Sequence, residues 1–132
     1  MEYLISILKA SHFLVFFSFH NPDTNLEAAY VPKPLEPLGY YIAVEVFDRD
    51  SVQVYQTYRP KVKPKLDPSR AESYIALEPG YTYGISLELE GFDPKPGIYQ
   101  IAITYSSQQF QGFDGHPLGE ILHREVVSLE VK

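Results

Sequence analysis

The chain of 132 residues has no cysteine, no tryptophan and no apolar run of membrane-spanning length. The absence of cysteine excludes a disulfide framework, thiol catalysis and cysteine-based zinc sites, and it fits a reducing cytoplasm. A spanning helix needs about 18 or more consecutive apolar residues, so we expect no membrane span. The apolar opening stretch begins with an acid and contains Lys9 and His12. It is therefore a poor signal peptide, and we interpret it as the first two strands.

Positive charge is scarce: 11 Lys and Arg against 17 Asp and Glu give a formal net charge of −6. An acidic domain has little attraction for phosphate backbones, so we do not expect nucleic acid as a partner. Residues 59–70 are the exception, with five basic residues and one acid. This basic segment is typical either of a solvated proline-rich loop or of a surface that faces an acidic partner.

Hydrophobic residues make up 45% of the chain, accompanied by 11 prolines and 8 glycines. This composition predicts a single globular domain over residues 1–132 with many short connections. Helical periodicity is missing, and the dominant apolar period is two. In residues 12–19 both faces are apolar, which predicts a central strand that is buried on both faces. The candidate strands are residues 3–8, 12–19, 28–31, 41–48, 52–58, 73–77, 83–90, 97–105 and 125–131.

Turn sequences rich in Pro, Gly and Asp separate these segments at a spacing typical of β-sandwiches. We therefore predict an all-β protein, an immunoglobulin-like antiparallel β-sandwich of about eight strands, with a closed barrel as the alternative. The segment 78–105 resembles the corner between strands E and F of such sandwiches. There a tyrosine hydroxyl bonds back to the backbone, and Tyr99 is well placed for this role.

Residues that carry chemistry are few. The histidines show no metal-binding spacing, and the HExxH, G-x-S-x-G and phosphate-cradling glycine motifs are absent. His123 and Glu125 fall on one face of a strand, where we expect a structural surface pair. We predict no catalytic residue, no metal site, no cofactor and no enzymatic activity.

The unusual feature is the aromatic content, with 11 Tyr and 8 Phe. Tyrosine is common both in strands and at binding surfaces. Six tyrosines near strand ends therefore form either a binding patch or only part of the strands: Tyr40, Tyr41, Tyr55, Tyr58, Tyr81 and Tyr83. Two phenylalanines also lie in the polar, glycine-rich segment 106–119. We predict residues 58–70 and 110–116 as contact loops, with Arg59 and Phe113 as anchors. The predicted partner-binding residues are Arg59, Lys61, Lys63, Phe110, Phe113 and His116.

The order of short motifs resembles a known module. F-H-N-P at residues 19–22 is followed by V-F-D-R-D at 46–50, V-Q-V-Y at 52–55, L-E-P-G at 77–80 and P-G-I-Y-Q-I at 96–101. This pattern is similar to the small β-sandwich that precedes the catalytic domain of deuterolysin-type zinc metallopeptidases. It resembles, more loosely, the bacterial intracellular proteinase inhibitor family. The resemblance implies a module that contacts or restrains a protease, without peptidase activity because the zinc motif is missing.

Three functions follow from these observations. The first is a non-enzymatic protein-binding domain, with a protease inhibitor or regulator as its specific form, acting through loops at one end. The second is a carbohydrate- or ligand-binding sandwich, in which tyrosines stack on sugars. The third is a structural assembly module that pairs through an exposed edge strand. The sequence leaves the oligomeric state open.

Overall fold

The computed structural model describes residues 2–9, 12–33, 40–58, 71–106 and 122–132. These residues form strands and, at Ala71–Ser73, one turn of 3₁₀ helix. The strands are β1 (Glu2–Lys9), β2 (Phe13–His20), β3 (Ala29–Pro32), β4 (Ile42–Phe47), β5 (Gln53–Gln56), β6 (Tyr74–Leu77), β7 (Thr82–Glu88), β8 (Gly97–Ser106) and β9 (Leu122–Val131).

The strands pair in three antiparallel sheets, which confirms the all-β class. One sheet has the order β1-β2-β7, a second has the order β5-β4-β8-β9, and β3 and β6 form a two-stranded ribbon. Each predicted strand is present, and most bounds differ by one or two residues from those expected. The largest difference is β9, which begins three residues earlier than the alternation indicated.

The buried core contains residues of both larger sheets, which come from alternate positions along their strands. Tyr105 on β8 is fully buried, and its ring centroid lies 5.0 Å from that of Phe19 and 5.9 Å from that of Phe17, both on β2. One face of β8 is buried along its length, and it is formed by Tyr99, Ile101, Ile103 and Tyr105. These apolar contacts supply the hydrophobic driving force that holds the two sheets together.

The second face of β2 differs from the prediction. β2 is the central strand of its sheet, as expected, and its inward residues are buried. Phe16 on the opposite face, however, is 37% exposed, and Leu14 and Ser18 are only partly buried. No described element covers this face. The prediction that β2 is buried on both faces was therefore wrong for this face, although its residues are largely apolar.

The hydroxyl of Tyr99 donates a hydrogen bond of 2.6 Å to the backbone carbonyl of Lys95, which confirms the predicted bond of this hydroxyl back to the backbone. A second set of hydrogen bonds is made by Asn21, the one buried polar side chain of the described residues. Its amide donates to the carbonyls of Glu27 and Leu77, and its backbone pairs with that of Tyr81. Asn21 therefore joins the end of β2 to the segments that begin β3 and end β6.

Candidate functional site

The six residues predicted to bind a partner lie outside the described residues: Arg59, Lys61, Lys63, Phe110, Phe113 and His116. The structure does describe the positions at which their segments join the sheets. These positions decide whether the two segments leave the fold at the same end.

The strand register brings these positions together in the four-stranded sheet. Ile42 at the start of β4 pairs with Tyr105, and Ser106 at the end of β8 pairs with Leu122 at the start of β9. The amide of Ser106 donates to the carbonyl of Tyr41 at 2.8 Å, and the amide of Thr57 donates to that of Val44 at 3.0 Å. Residues 41, 57, 106 and 122 therefore lie at one end of the sheet, which we call the loop end.

The β3–β6 ribbon places two more chain positions side by side. The amide of Lys33 donates to the carbonyl of Ser73 at 3.0 Å, and Pro32 pairs with Tyr74. Tyr74 is buried beside Tyr41, whose pKa is raised to about 12 by burial first and then by Tyr40 and Tyr74. The end of the ribbon formed by Pro32 and Tyr74 thus lies close to the loop end. The segments 34–39, 59–70 and 107–121 all join described residues in this region.

The predicted tyrosine patch is divided between the core and the surface. Tyr40 and Tyr41 are buried and pack edge to face, with ring centroids 4.6 Å apart. Tyr58 and Tyr81, in contrast, are 76% and 65% exposed. The tyrosines next to the loop end therefore include core residues that support it as well as exposed rings that are free to contact a partner.

His12 and His20 contact polar side chains at separate places on the surface. His12 lies 3.4 Å from Glu88, and His20 donates or accepts at 2.8 Å with the hydroxyl of Thr82. No group of three potential metal ligands occurs among the described residues. These histidines therefore form individual surface pairs and not a metal-binding cluster.

His123 and Glu125 lie on the same face of β9 and contact each other at 3.3 Å, as predicted. The prediction of a surface pair was nevertheless wrong in its location, because this is the core-facing side of the strand. The His123 side chain is 20% exposed, and its ring stacks on that of Tyr3 with centroids 4.1 Å apart. The pair therefore fills the space where the first strand meets the last one.

A groove of about 410 Å³ lies at the opposite end of the fold from the loop end. Sequence reasoning missed it, because its walls come from the β4–β5 turn and the β7–β8 connection, which are distant in the chain. Tyr55 donates a hydrogen bond of 2.8 Å to the carbonyl of Glu90, which fixes the two walls relative to each other. The lining residues are Asp48, Val54, Tyr55, Gly91, Phe92, Asp93, Pro94, Lys95 and Tyr99.

The polar groups of the groove are suited to binding. One carboxylate oxygen of Asp48 accepts from the amides of Asp50 and Val52, so this residue holds its own turn in place. The side chains of Asp93 and Lys95 are exposed and have no partner within the described chain. Burial and the charge of Glu90 raise the pKa of Tyr55, so its hydroxyl stays protonated. The groove thus offers charges of both signs beside aromatic rings.

A comparison with models of known protein families found no match to this chain, and a comparison with curated proteins found none either. The resemblance to the deuterolysin module and to proteinase inhibitors therefore stays a prediction. In the part of the chain that the structure describes, no helix is long and apolar enough to span a membrane.

Proposed function

We propose that this protein is a non-enzymatic protein-binding domain that contacts its partner through segments 59–70 and 107–121. One observation carries the proposal: the described residues that flank these segments lie together at the loop end. One segment carries five basic residues and the other carries Phe110 and Phe113. Their common point of departure supports a single composite surface.

An immunoglobulin-like sandwich is the architecture that best accommodates this proposal. The order β1-β2-β7 is that of strands A, B and E, and the order β5-β4-β8-β9 is that of C′, C, F and G. The Tyr99 hydrogen bond corresponds to the tyrosine corner of strand F. The ribbon of β3 and β6 lies outside this assignment. Loops at one end of such sandwiches form binding surfaces in variable domains, which supports the same use here.

The partner that we propose is a protease, because the motif order resembles modules that contact proteases. The chemistry of the segments indicates which part of such a partner they fit. Arg59, Lys61 and Lys63 suit an acidic surface, and Phe113 suits an apolar pocket beside it. Prolines in segment 59–70 restrict its backbone, so less conformational entropy is lost when it docks.

The test is inhibition of a panel of purified serine, cysteine, aspartic and metalloproteases by the intact chain. We expect at least one protease to be inhibited, and the Arg59→Ala/Phe113→Ala variant to inhibit it about tenfold less or weaker still. The matched control is Lys132→Ala/Phe16→Ala, which removes one exposed cation and one partly exposed ring away from the loop end and from the groove. The proposal is wrong if no protease is inhibited, or if the loop variant and the control inhibit equally well.

The groove supports a second candidate function, the binding of a small polar ligand such as a sugar. It combines the aromatic rings of Tyr55 and Tyr99 with the exposed charges of Asp93 and Lys95. A glycan array with the intact chain tests this function, and Asp93→Ala is the variant that should lose binding. Binding that survives this substitution, or the absence of any bound glycan, would exclude the groove as a carbohydrate site.

A further inference from the structure

The edge strands of the two larger sheets differ in how well they resist pairing with another chain. Exposed edges promote association unless they are short, irregular or charged. β5 has only four residues and lies next to a register shift at Val46 and Phe47. β9 is long, but it carries His123 and Glu125 on its core-facing side, where inward charges discourage an added strand. β7 contains Gly84, which lowers its strand preference.

Between its charged end residues, Glu2 and Lys9, β1 has none of these protections. It is an eight-residue edge strand, and its register with β2 runs without a shift from Glu2 to Lys9. Residues 3–8 contain no charge, no proline and no glycine. The outward Leu4 and Leu8 are 70% and 55% exposed. Within the described chain, β1 is paired on one side only, by β2.

The sequence of β1 is complementary to itself in the antiparallel direction. A twofold axis through Ser6 places Leu4 opposite Leu8 of a second copy, on the outward face of both. The same axis places Ile5 opposite Ile7 on the core-facing side, so each residue meets one from the same face. Glu2 and Lys9, at the two ends of β1, are placed opposite positions 10 and 3 of the second copy, so neither meets a like charge. A parallel arrangement would instead bring like charges together.

We propose that two copies of this protein associate through β1, pairing antiparallel about Ser6 to form one continuous sheet. The rings of Tyr3 and His123, which stack where β1 contacts β9, lie on the core-facing side of β1 and not along the row of main-chain groups that would pair. The association is independent of the function proposed for the loop end. Main-chain hydrogen bonds would supply the affinity, and the leucine pairs would fix the register.

Sedimentation velocity of the intact chain, from low-micromolar to near-millimolar concentration, tests this proposal. We expect a concentration-dependent dimer. Ser6→Lys places two like charges opposite each other at the axis and should raise the dissociation constant at least tenfold. The matched control is Ser86→Lys, on the same sheet face but on β7, and it should still dimerise. Circular dichroism and thermal unfolding of each variant show whether it remains folded.

Charge exchange tests the register itself. Ser6→Lys and Ser6→Glu should each be monomeric alone and should form a heterodimer when mixed, because opposite charges then meet at the axis. A wild-type chain that is monomeric at every concentration would overturn the proposal. A dimer that Ser86→Lys weakens as much as Ser6→Lys would also overturn it, since the sheet face and not the edge would then be the contact. Folded Ser6 variants that fail to associate when mixed would refute the pairing about Ser6.

Discussion

The side-chain amide of Asn21 donates a hydrogen bond of 2.8 Å to the backbone carbonyl of Leu77, 56 residues away in the chain. The same NH₂ group donates to the carbonyl of Glu27 at 3.0 Å, and the amide oxygen accepts from Asn25 at 2.7 Å. Asn21 itself is 1% exposed. Because a buried carbonyl is costly to leave without a donor, this side chain determines how three segments meet.

We expect Asn21→Asp to be severely destabilising, although it has almost the same shape. A carboxylate cannot donate, and it would face the buried carbonyl oxygen of Leu77 and the partly buried one of Glu27, at a cost of about 3 kcal/mol or more. The free energy of unfolding from urea titration measures this cost. Asn25→Ala, which removes the exposed neighbour that donates to the amide oxygen of Asn21, is the control and should cost about 1 kcal/mol. Equal losses for the two variants would contradict the role assigned to Asn21.

The pH dependence of Asn21→Asp gives a second measurement. Burial and the facing carbonyls should raise the pKa of the introduced carboxyl above the ordinary value of about 3.9. The protonated acid can donate to one carbonyl, so the variant should be closest to wild type at low pH. Its deficit in stability should then grow as the pH rises through the raised pKa.

The two tyrosines at the ends of β8 should respond in opposite ways to loss of the hydroxyl group. Tyr105 is fully buried, and its hydroxyl has no hydrogen-bond partner among the described residues. Tyr105→Phe should therefore leave the stability unchanged or raise it by up to about 1 kcal/mol. Tyr99→Phe removes the bond to Lys95 and should lower the stability by about 1 kcal/mol. Urea midpoints of both variants, with equal slopes, decide the matter. A loss at Tyr105 as large as that at Tyr99 would show that its hydroxyl has a partner.

Alkaline stability should depend on the buried tyrosines of the core. Burial raises the pKa of Tyr41 from 10.0 to about 12 and also raises that of Tyr105. Since the unfolded chain loses these protons first, the free energy of unfolding should fall as the pH rises from 10 towards 12. The free energy of unfolding of Tyr41→Phe should fall less over this range. Tyr58→Phe, which changes a ring that is 76% exposed, is the control and should follow the wild-type profile. Identical profiles for the two variants would contradict the prediction.

Most of the strands could be predicted from the sequence because burial on one face imposes a period of two. The alternation of Ile85, Leu87 and Leu89 predicted β7, and the turn-rich segment before Tyr99 predicted the hydrogen bond of its hydroxyl. The sequence predicted less well which face of a strand is covered by other elements. The apolar Phe16 predicted burial, but exposure depends on which elements pack nearby, and this is a property of the tertiary structure.

The sites were harder to predict than the strands, for a related reason. The groove joins Tyr55 to Glu90, and the buried tie joins Asn21 to Leu77, and neither pair leaves a local signal in the sequence. The N-P dipeptide at residues 21–22 indicated a turn, but it gave no sign of the distant carbonyls. For the predicted contact segments, the sequence indicated the residues but not that their ends lie close together. Composition singled out Arg59 and Phe113, and only the strand register around Tyr41 brings their points of attachment together.

Ser51 offers a test of backbone strain in the β4–β5 turn, next to the groove. It has a φ of 62°, a left-handed conformation that costs a residue with a Cβ roughly 1 kcal/mol. Its amide donates to the carbonyl of Asp48 at 3.0 Å, so the turn requires this conformation. Ser51→Gly should therefore raise the free energy of unfolding by up to about 1 kcal/mol.

The matched control for this change is Ser86→Gly in the middle of β7. Ser86 is exposed and pairs with Phe16 in the sheet, so glycine there relieves no strain. It adds only backbone freedom to the unfolded chain and should lower the stability by about 0.5–1 kcal/mol. Opposite signs for the same substitution, measured by urea unfolding, would locate the strain at Ser51. Two losses of equal size would show that the hairpin tolerates serine there without cost.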